Sequence, residues 1–216
     1  MCGIVGYVGP QPALSRLVEG LRRLEYRGYD SAGVALLEPE VIWTRKRVGR
    51  VADLDQALDD APESTTGIAH TRWATHGGIT EPNAHPHTDG PGRIAVVHNG
   101  IIENMHALKT QLAAEGVEFR SETDTEILPH LIRRHYQGDP VAAVRAALRM
   151  VHGTYGIAVV FTDHPGLIVA ARLGSPLVVG LGDGETVLAS DPQAIVELTR
   201  RVVYLDDREI AVITRD

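Results

Sequence analysis

The chain is short of several things, and each shortage removes a class of reading. It has one cysteine, Cys2, among 216 residues. One thiol cannot form an internal disulfide, so nothing asks for an oxidising compartment, and the expected location is cytoplasmic. Basic residues are outnumbered: 21 Lys and Arg face 28 Asp and Glu, for a formal net charge of −7. A nucleic-acid-binding face needs the opposite balance. No apolar run approaches the roughly 18 residues that would span a bilayer. No basic segment followed by an apolar core marks a secretory signal. The expected partners therefore include no nucleic acid and no membrane. Repeats, low-complexity tracts and linkers are missing too, so residues 1–216 read as a single domain. The 44% hydrophobic and 23% charged content is ordinary for a globular protein of this size.

What is present begins with Met1-Cys2-Gly3-Ile4-Val5-Gly6. A small second residue permits removal of Met1, which would leave a thiol and a free α-amine on one residue. The amine titrates near ~7.7–8.0 and the thiol near ~8.5. Such an amine can take the thiol proton, so nucleophile and base would come from the same residue. A cysteine elsewhere would more often be a small buried hydrophobe beginning a strand.

Along the chain, Ile4 to Val8 reads as a short buried strand, and Pro12 opens a helix carrying Leu14, Leu17, Val18, Leu21 and Leu24. Ala32 to Leu37 and Val41 to Val48 form a strand pair around Glu38-Pro39-Glu40. Val51 to Ala61 has a weak helical pattern, and Gly67 to Thr71 is a strand running into a long loop, 72–93. A loop of that length points to function. Ile94 to His98 is a strand closed by an Asn99-Gly100 turn. Asn104 caps a helix ending at Gly116, Val117 to Arg120 reads as a strand, and Ser121-Glu122-Thr123-Asp124 starts a helix ended by Gly138. Pro140 starts another. The last third is mostly strand: 156–162, 167–172, 177–182, 186–190, 202–205 and 209–214, with a short helical stretch after Pro192. Strands joined by short turns pair antiparallel, and runs of strands beside runs of helices give an α+β protein.

Chemistry concentrates in four polar clusters: 26–31, 70–77, 98–104 and 121–126. A nucleophile attacking an amide needs an oxyanion site. Asn99 offers a side-chain NH₂ and Gly100 an unobstructed backbone N–H. A plain Asn-Gly turn would look the same locally. A substrate bearing an α-carboxylate and an α-amine wants one fixed cation and one fixed anion. Arg72 offers a bidentate fork for the first, and Asp124 suits the second.

The opening Cys2-Gly3-Ile4-Val5-Gly6 resembles that of class II glutamine amidotransferases, whose glutaminase domains are N-terminal-nucleophile hydrolases. LEYRGYDSAG (24–33), HTRWATHG (70–77), NAHPH (83–87), HNGIIEN (98–104), SETDTE (121–126) and Gly174-Ser175-Pro176-Leu177 narrow the likeness to the glutaminase domains of glutamine–fructose-6-phosphate aminotransferases. The resemblance implies an αββα four-layer sandwich of two antiparallel sheets between helical layers. It implies hydrolysis of the side-chain amide of L-glutamine through a γ-glutamyl thioester on Cys2, with Asn99 and Gly100 as the oxyanion hole. Arg72 and Asp124 would hold the α-carboxylate and α-amine, and Trp73, Thr75, His76, Gly77 and Arg27 would line the substrate pocket. No cofactor and no metal are implied. The ammonia would serve fructose 6-phosphate in a longer, homodimeric enzyme, whose C-terminal sugar-phosphate isomerase domain is not in this sequence.

Other readings stay open. One is the glutaminase domain of another class II amidotransferase. A second is a non-catalytic glutamine-binding module, which would keep Arg72 and Asp124 but have no use for a cysteine at position 2. A third is a metal-dependent hydrolase drawing on His85, His87, His70, His76 and His98, although no HExxH or cysteine-rich pattern accompanies them.

Overall fold

Alternation along the first strand sets out the layers. In the computed structural model, which describes residues 2–75 and 77–215, β1 (Gly3–Val8) sends Ile4 and Val8 to one side and Val5 and Tyr7 to the other. All four are buried, so both faces of its sheet are covered. Met1 and the expected pocket residue His76 lie outside the described residues.

Val5 and Tyr7 pack under α1 (Ala13–Leu24), which presents Leu17, Leu21 and Leu24 to the sheet. Pro12 precedes the helix at φ −55°, an angle its ring fixes in advance. The first sheet also takes in β2 (Ser31–Leu37), β3 (Ile42–Val48), β4 (Thr66–Arg72), β9 (Val178–Leu181), β10 (Thr186–Ala189) and β11 (Val202–Tyr204), in the order β11-β9-β10-β1-β4-β2-β3. The short α2 (Val51–Asp55) joins α1 on its outer face.

The second sheet has the order β12-β8-β7-β6-β5. Its strands are β5 (His87–Thr88), β6 (Ile94–Ile102), β7 (Gly153–Phe161), β8 (Ile168–Leu173) and β12 (Ile210–Ile213). Its outer face is covered by α3 (Met105–Ala114), α4 (Ile127–His135) and α5 (Pro140–Leu148), through Leu112, Ile127, Leu131 and Val144 against Val96, Ile157, Val159 and Phe161. Between the sheets, Ile4, Val8 and Ile68 of the first meet Ala95, Val97, Ala158 and Ile168 of the second. All ladders between the named strands are antiparallel. The result is the expected αββα sandwich.

Four local expectations differ. Asn99-Gly100 is not a turn: β6 runs straight through it, with Asn99 opposite Gly156 and Gly100 opposite Tyr155. Gly100 has φ +137°, and a Cβ there would run into the Thr154 carbonyl. Only glycine lets the strand pass. The segment 121–126 does not begin a helix, because its side chains are engaged locally. The Glu126 carboxylate accepts from the Arg120 and Ser121 amides and from the Ser121 hydroxyl at 2.7–2.8 Å, which is the competition that keeps such residues out of helices. Residues 117–120 form no ladder among the described residues. The helix from Val51 stops at Asp55 and continues as single turns, such as Ala57 N–H to the Leu54 carbonyl at 2.9 Å.

Candidate active site

The period of two places the site. Ile4 faces the inter-sheet layer, and Cys2 precedes it by two residues. Ile68 faces the same layer, followed at the same parity by His70 and Arg72. On the opposing sheet Val97 is followed by Asn99. At this end of the sandwich the inward-facing series changes from aliphatic to polar, and Cys2, His70, Arg72 and Asn99 converge.

Cys2 Sγ accepts a hydrogen bond from the Trp73 amide at 3.2 Å and lies 3.5 Å from the Trp73 carbonyl. That stretch of backbone is itself held by the 24–33 segment. The Asp30 amide donates to the Arg72 carbonyl at 3.0 Å, and the Ala74 amide donates to Asp30 Oδ2 at 2.8 Å. Gly28 lies so close that a Cβ there would be 2.8 Å from the Arg72 carbonyl carbon. Burial pushes the Cys2 thiol above its ordinary value, opposed by the Trp73 amide and by the nearby Arg72 charge. The resting group is therefore a thiol, and a base is needed to make it a nucleophile.

Asn99 is buried and donates from Nδ2 to the Cys2 carbonyl at 3.0 Å. An amide NH₂ carries two hydrogens, so this bond leaves a second donor beside Cys2. Arg72 and Asp124 are both buried. The Arg72 guanidinium donates from Nη1 to the Gly78 carbonyl at 3.1 Å. Burial lowers its pKa, while the charges of Cys2, Asp30 and Asp124 raise it; an arginine stays protonated in either case. Asp124 Oδ2 accepts from the Ile102 amide at 2.8 Å. Asn83 and Glu122 complete a clamp on the 77–78 segment. Asn83 Nδ2 donates to the Gly78 carbonyl at 3.0 Å and to Glu122 Oε2 at 3.1 Å, and the Gly78 amide donates to Glu122 at 3.2 Å.

The remaining expected residues fall into two groups. Trp73 is half-exposed, its ring edge-on to Tyr29 at 5.7 Å, while Thr75 and Gly77 are exposed. Gly77 has φ +75°, and a Cβ there would meet Asn83 Nδ2 at 2.8 Å. Arg27 is buried, but its Nη1 donates to Asp191 at 2.8 Å and to the Ser190 carbonyl at 3.4 Å. Ser190 in turn holds Ile4 through reciprocal bonds of 2.9 and 3.0 Å. Arg27 thus fastens the strand end behind Cys2.

Sequence reasoning read the histidines as scattered imidazoles. The structure collects four of them in one buried cluster. His70 and His85 stack at 4.0 Å, and His85 meets His87 edge-on at 4.9 Å. His85 Nδ1 accepts from the His98 amide at 3.2 Å. His98 Nε2 donates to the Thr154 carbonyl at 3.3 Å, so its Nδ1 accepts from the Thr125 hydroxyl at 2.9 Å; His87 Nε2 is 3.0 Å from the Thr123 hydroxyl. Gly33 makes the stack possible, because a Cβ there would occupy the place of the His85 carbonyl. Burial lowers the pKa of all four, His70 to about 3. No group of three or more His, Cys, Asp or Glu is arranged to hold a metal ion among the described residues. The signal in the sequence was parity: His70 continues the inward series of Ile68.

A profile described as the glutamine amidotransferase domain matches residues 70–197. Over its whole length the chain is 55% identical to a glutamine–fructose-6-phosphate aminotransferase (isomerizing) of Thermus thermophilus and 52% identical to the protein of that name from Aquifex aeolicus. It spans 36% and 37% of their lengths. A Bacillus subtilis glutamine phosphoribosylpyrophosphate amidotransferase, solved with ADP and GMP, shares the fold at TM-score 0.80 and 24% identity, over all of this chain and 49% of that one. A class-II glutamine aminotransferase domain protein from Silicibacter pomeroyi does so at TM-score 0.66 and 16% identity, over 99% and 95%.

Proposed function

Because the chain belongs to the glutamine amidotransferase domain family, we propose that it hydrolyses the side-chain amide of L-glutamine to glutamate and ammonia. The observation that carries the reading is the convergence of Cys2 Sγ, the Asn99 amide one hydrogen bond from the Cys2 carbonyl, and buried Arg72 and Asp124 at one end of the sandwich.

The steps follow from these groups. Arg72 pairs with the α-carboxylate of glutamine and Asp124 with its α-ammonium, which fixes the side chain over Cys2. Once Met1 is removed, the α-amine of Cys2 takes the thiol proton, and Sγ forms a bond to the amide carbon. The second N–H of Asn99 and the backbone N–H of Gly100 receive the charge that develops on the amide oxygen. The protonated α-amine gives its proton to the leaving nitrogen, the C–N bond breaks, and ammonia departs. Water, deprotonated by the same amine, then attacks the γ-glutamyl thioester and releases glutamate and the thiol. The scheme calls for no cofactor. Trp73, Thr75, His76 and Gly77 border the substrate in this reading, and Arg27 acts behind Cys2 by holding the β1–β10 junction.

Residues 1–216 act as one domain in this reading. We further propose that in a longer protein the ammonia passes to fructose 6-phosphate on a sugar-phosphate isomerase domain, as the names of the Thermus and Aquifex relatives and their greater length suggest. Ammonia release from glutamine by the Met1-processed chain tests the core of the proposal. Cys2→Ala is expected to abolish release and to leave glutamine binding largely intact. A Cys2→Ala chain that still turns glutamine over would overturn it.

A further inference from the structure

His70 lies fully buried on β4, on the sheet opposite Asn99, and its ring reaches across the inter-sheet layer. Its Nε2 is 3.0 Å from Asn99 Oδ1 and 3.1 Å from the His98 carbonyl oxygen. Both partners are acceptors, so Nε2 carries the proton and donates to both. This fixes the Asn99 amide. If it were reversed, its NH₂ would face the His70 N–H and its oxygen would face the Cys2 carbonyl, giving one donor–donor and one acceptor–acceptor contact. In the orientation observed, Oδ1 is held by His70, and Nδ2 is turned to Cys2 at 3.0 Å.

The ring cannot easily change its part. It is stacked on His85 at 4.0 Å with 14° between the planes, and Nδ1 has no hydrogen-bond partner among the described residues. Rotating the ring by half a turn would put the Cε1 carbon where Nε2 now stands and forfeit both hydrogen bonds. Protonating Nδ1 would put a second positive charge in a buried site near Arg72, and burial holds the pKa near 3.

We propose that His70 is a positioning residue for amide hydrolysis: its Nε2–H locks the Asn99 carboxamide so that the NH₂ is presented to the oxygen of the tetrahedral intermediate. The inference rests on the glutaminase reading and deepens it. Asn99 held this way needs no reorganisation as charge develops, which is where oxyanion donors gain their advantage over water. Loss of His70 frees the carboxamide to turn but leaves Arg72 and Asp124 in place, so the defect belongs in kcat.

The test is a double-mutant cycle in the Met1-processed chain, with His70→Phe, Asn99→Ala and the pair, together with His70→Gln. Phenylalanine keeps an aromatic ring against His85 and removes the donor; glutamine supplies an N–H near the position of Nε2. Asn99→Ala is expected to lower kcat by roughly 10²–10³. His70→Phe should lower kcat by about tenfold or more, up to that same limit, with KM nearly unchanged. In the Asn99→Ala background His70→Phe should cost nothing further, and His70→Gln should recover most of the parental kcat. A purely structural role predicts losses that multiply and no recovery by glutamine. That result, or parental kcat in a folded His70→Phe chain, overturns the inference while leaving the glutaminase reading standing. Parental kcat in Asn99→Ala would overturn the oxyanion assignment itself and the inference with it. A further readout needs no substitution: ¹⁵N spectra of the parent should show His70 protonated on Nε2 alone between pH 5 and 8. The Nδ1–H tautomer would also overturn the proposal.

Discussion

The amide of Trp73 donates to Cys2 Sγ at 3.2 Å, and the carbonyl of the same residue lies 3.5 Å from the sulfur. The Cys2 thiol is thus held by main chain, which the Asp30 contacts and the close approach of Gly28 hold in turn. Burial outweighs the Trp73 amide and keeps the thiol pKa above its ordinary value. In a chain that retains Met1, the α-amine of Cys2 is an amide nitrogen and cannot act as base. Alkylation of Cys2 by a neutral reagent should then be slow at pH 7 and still rising beyond about 8.5, the ordinary thiol range. A rate that has levelled by pH 7.5 would mean that another group activates the sulfur.

The pair Arg72 and Asp124 predicts specificity. Removing one partner leaves a charged substrate group desolvated and unpaired, a penalty of about 2–5 kcal/mol. Arg72→Lys keeps the charge but loses the fork and should raise KM clearly. Asp124→Asn should weaken glutamine and change little for the analogue lacking the α-amine. The measurement is kcat/KM for both substrates in parent and variant. An equal loss for both would make Asp124 a support for the Ile102 amide it accepts from at 2.8 Å, and no more.

The histidine cluster predicts acid sensitivity. An unfolded imidazole takes a proton below about pH 6.5, whereas folded His70 resists until about 3. Between those values the unfolded chain binds more protons, so stability is fully present above 6.5 and falls as the pH drops towards 3. His70 alone contributes a slope of up to about 1.4 kcal/mol per pH unit there, and His85, His87 and His98 act in the same direction. The urea midpoint should fall markedly from pH 7.5 to 5.5, and less in His70→Gln. An unchanged midpoint would mean that the rings are solvated in solution.

Much of this was legible in advance, for physical reasons that differ by element. The spacing of Leu17, Leu21 and Leu24 gave α1, and alternating apolar residues gave the strands, because burial on one face leaves a period in the sequence. Cys2, Arg72, Asn99 and Asp124 were singled out through residue chemistry and motif resemblance, and the fold places them at one end of the sandwich. What could not be read was set by contacts distant in sequence. Asn99-Gly100 has the composition of a turn, but its pairing with Gly156 and Tyr155 keeps it in a strand. Ser121 to Glu126 has the composition of a helix start, but Thr123 and Thr125 meet His87 and His98 instead. The imidazole stack needed Gly33 to admit the His85 carbonyl, and no local pattern announces that a glycine makes room for a residue fifty positions away.

The nucleophile itself is open to one direct measurement. The Met1-processed chain is treated with a glutamine analogue carrying an electrophilic γ-carbon, and ammonia release and intact mass are followed together. The account predicts a single adduct on Cys2, loss of ammonia release in step with labelling, and protection by glutamine. Full ammonia release from completely labelled protein, or an adduct on another residue accompanying the loss, would contradict it.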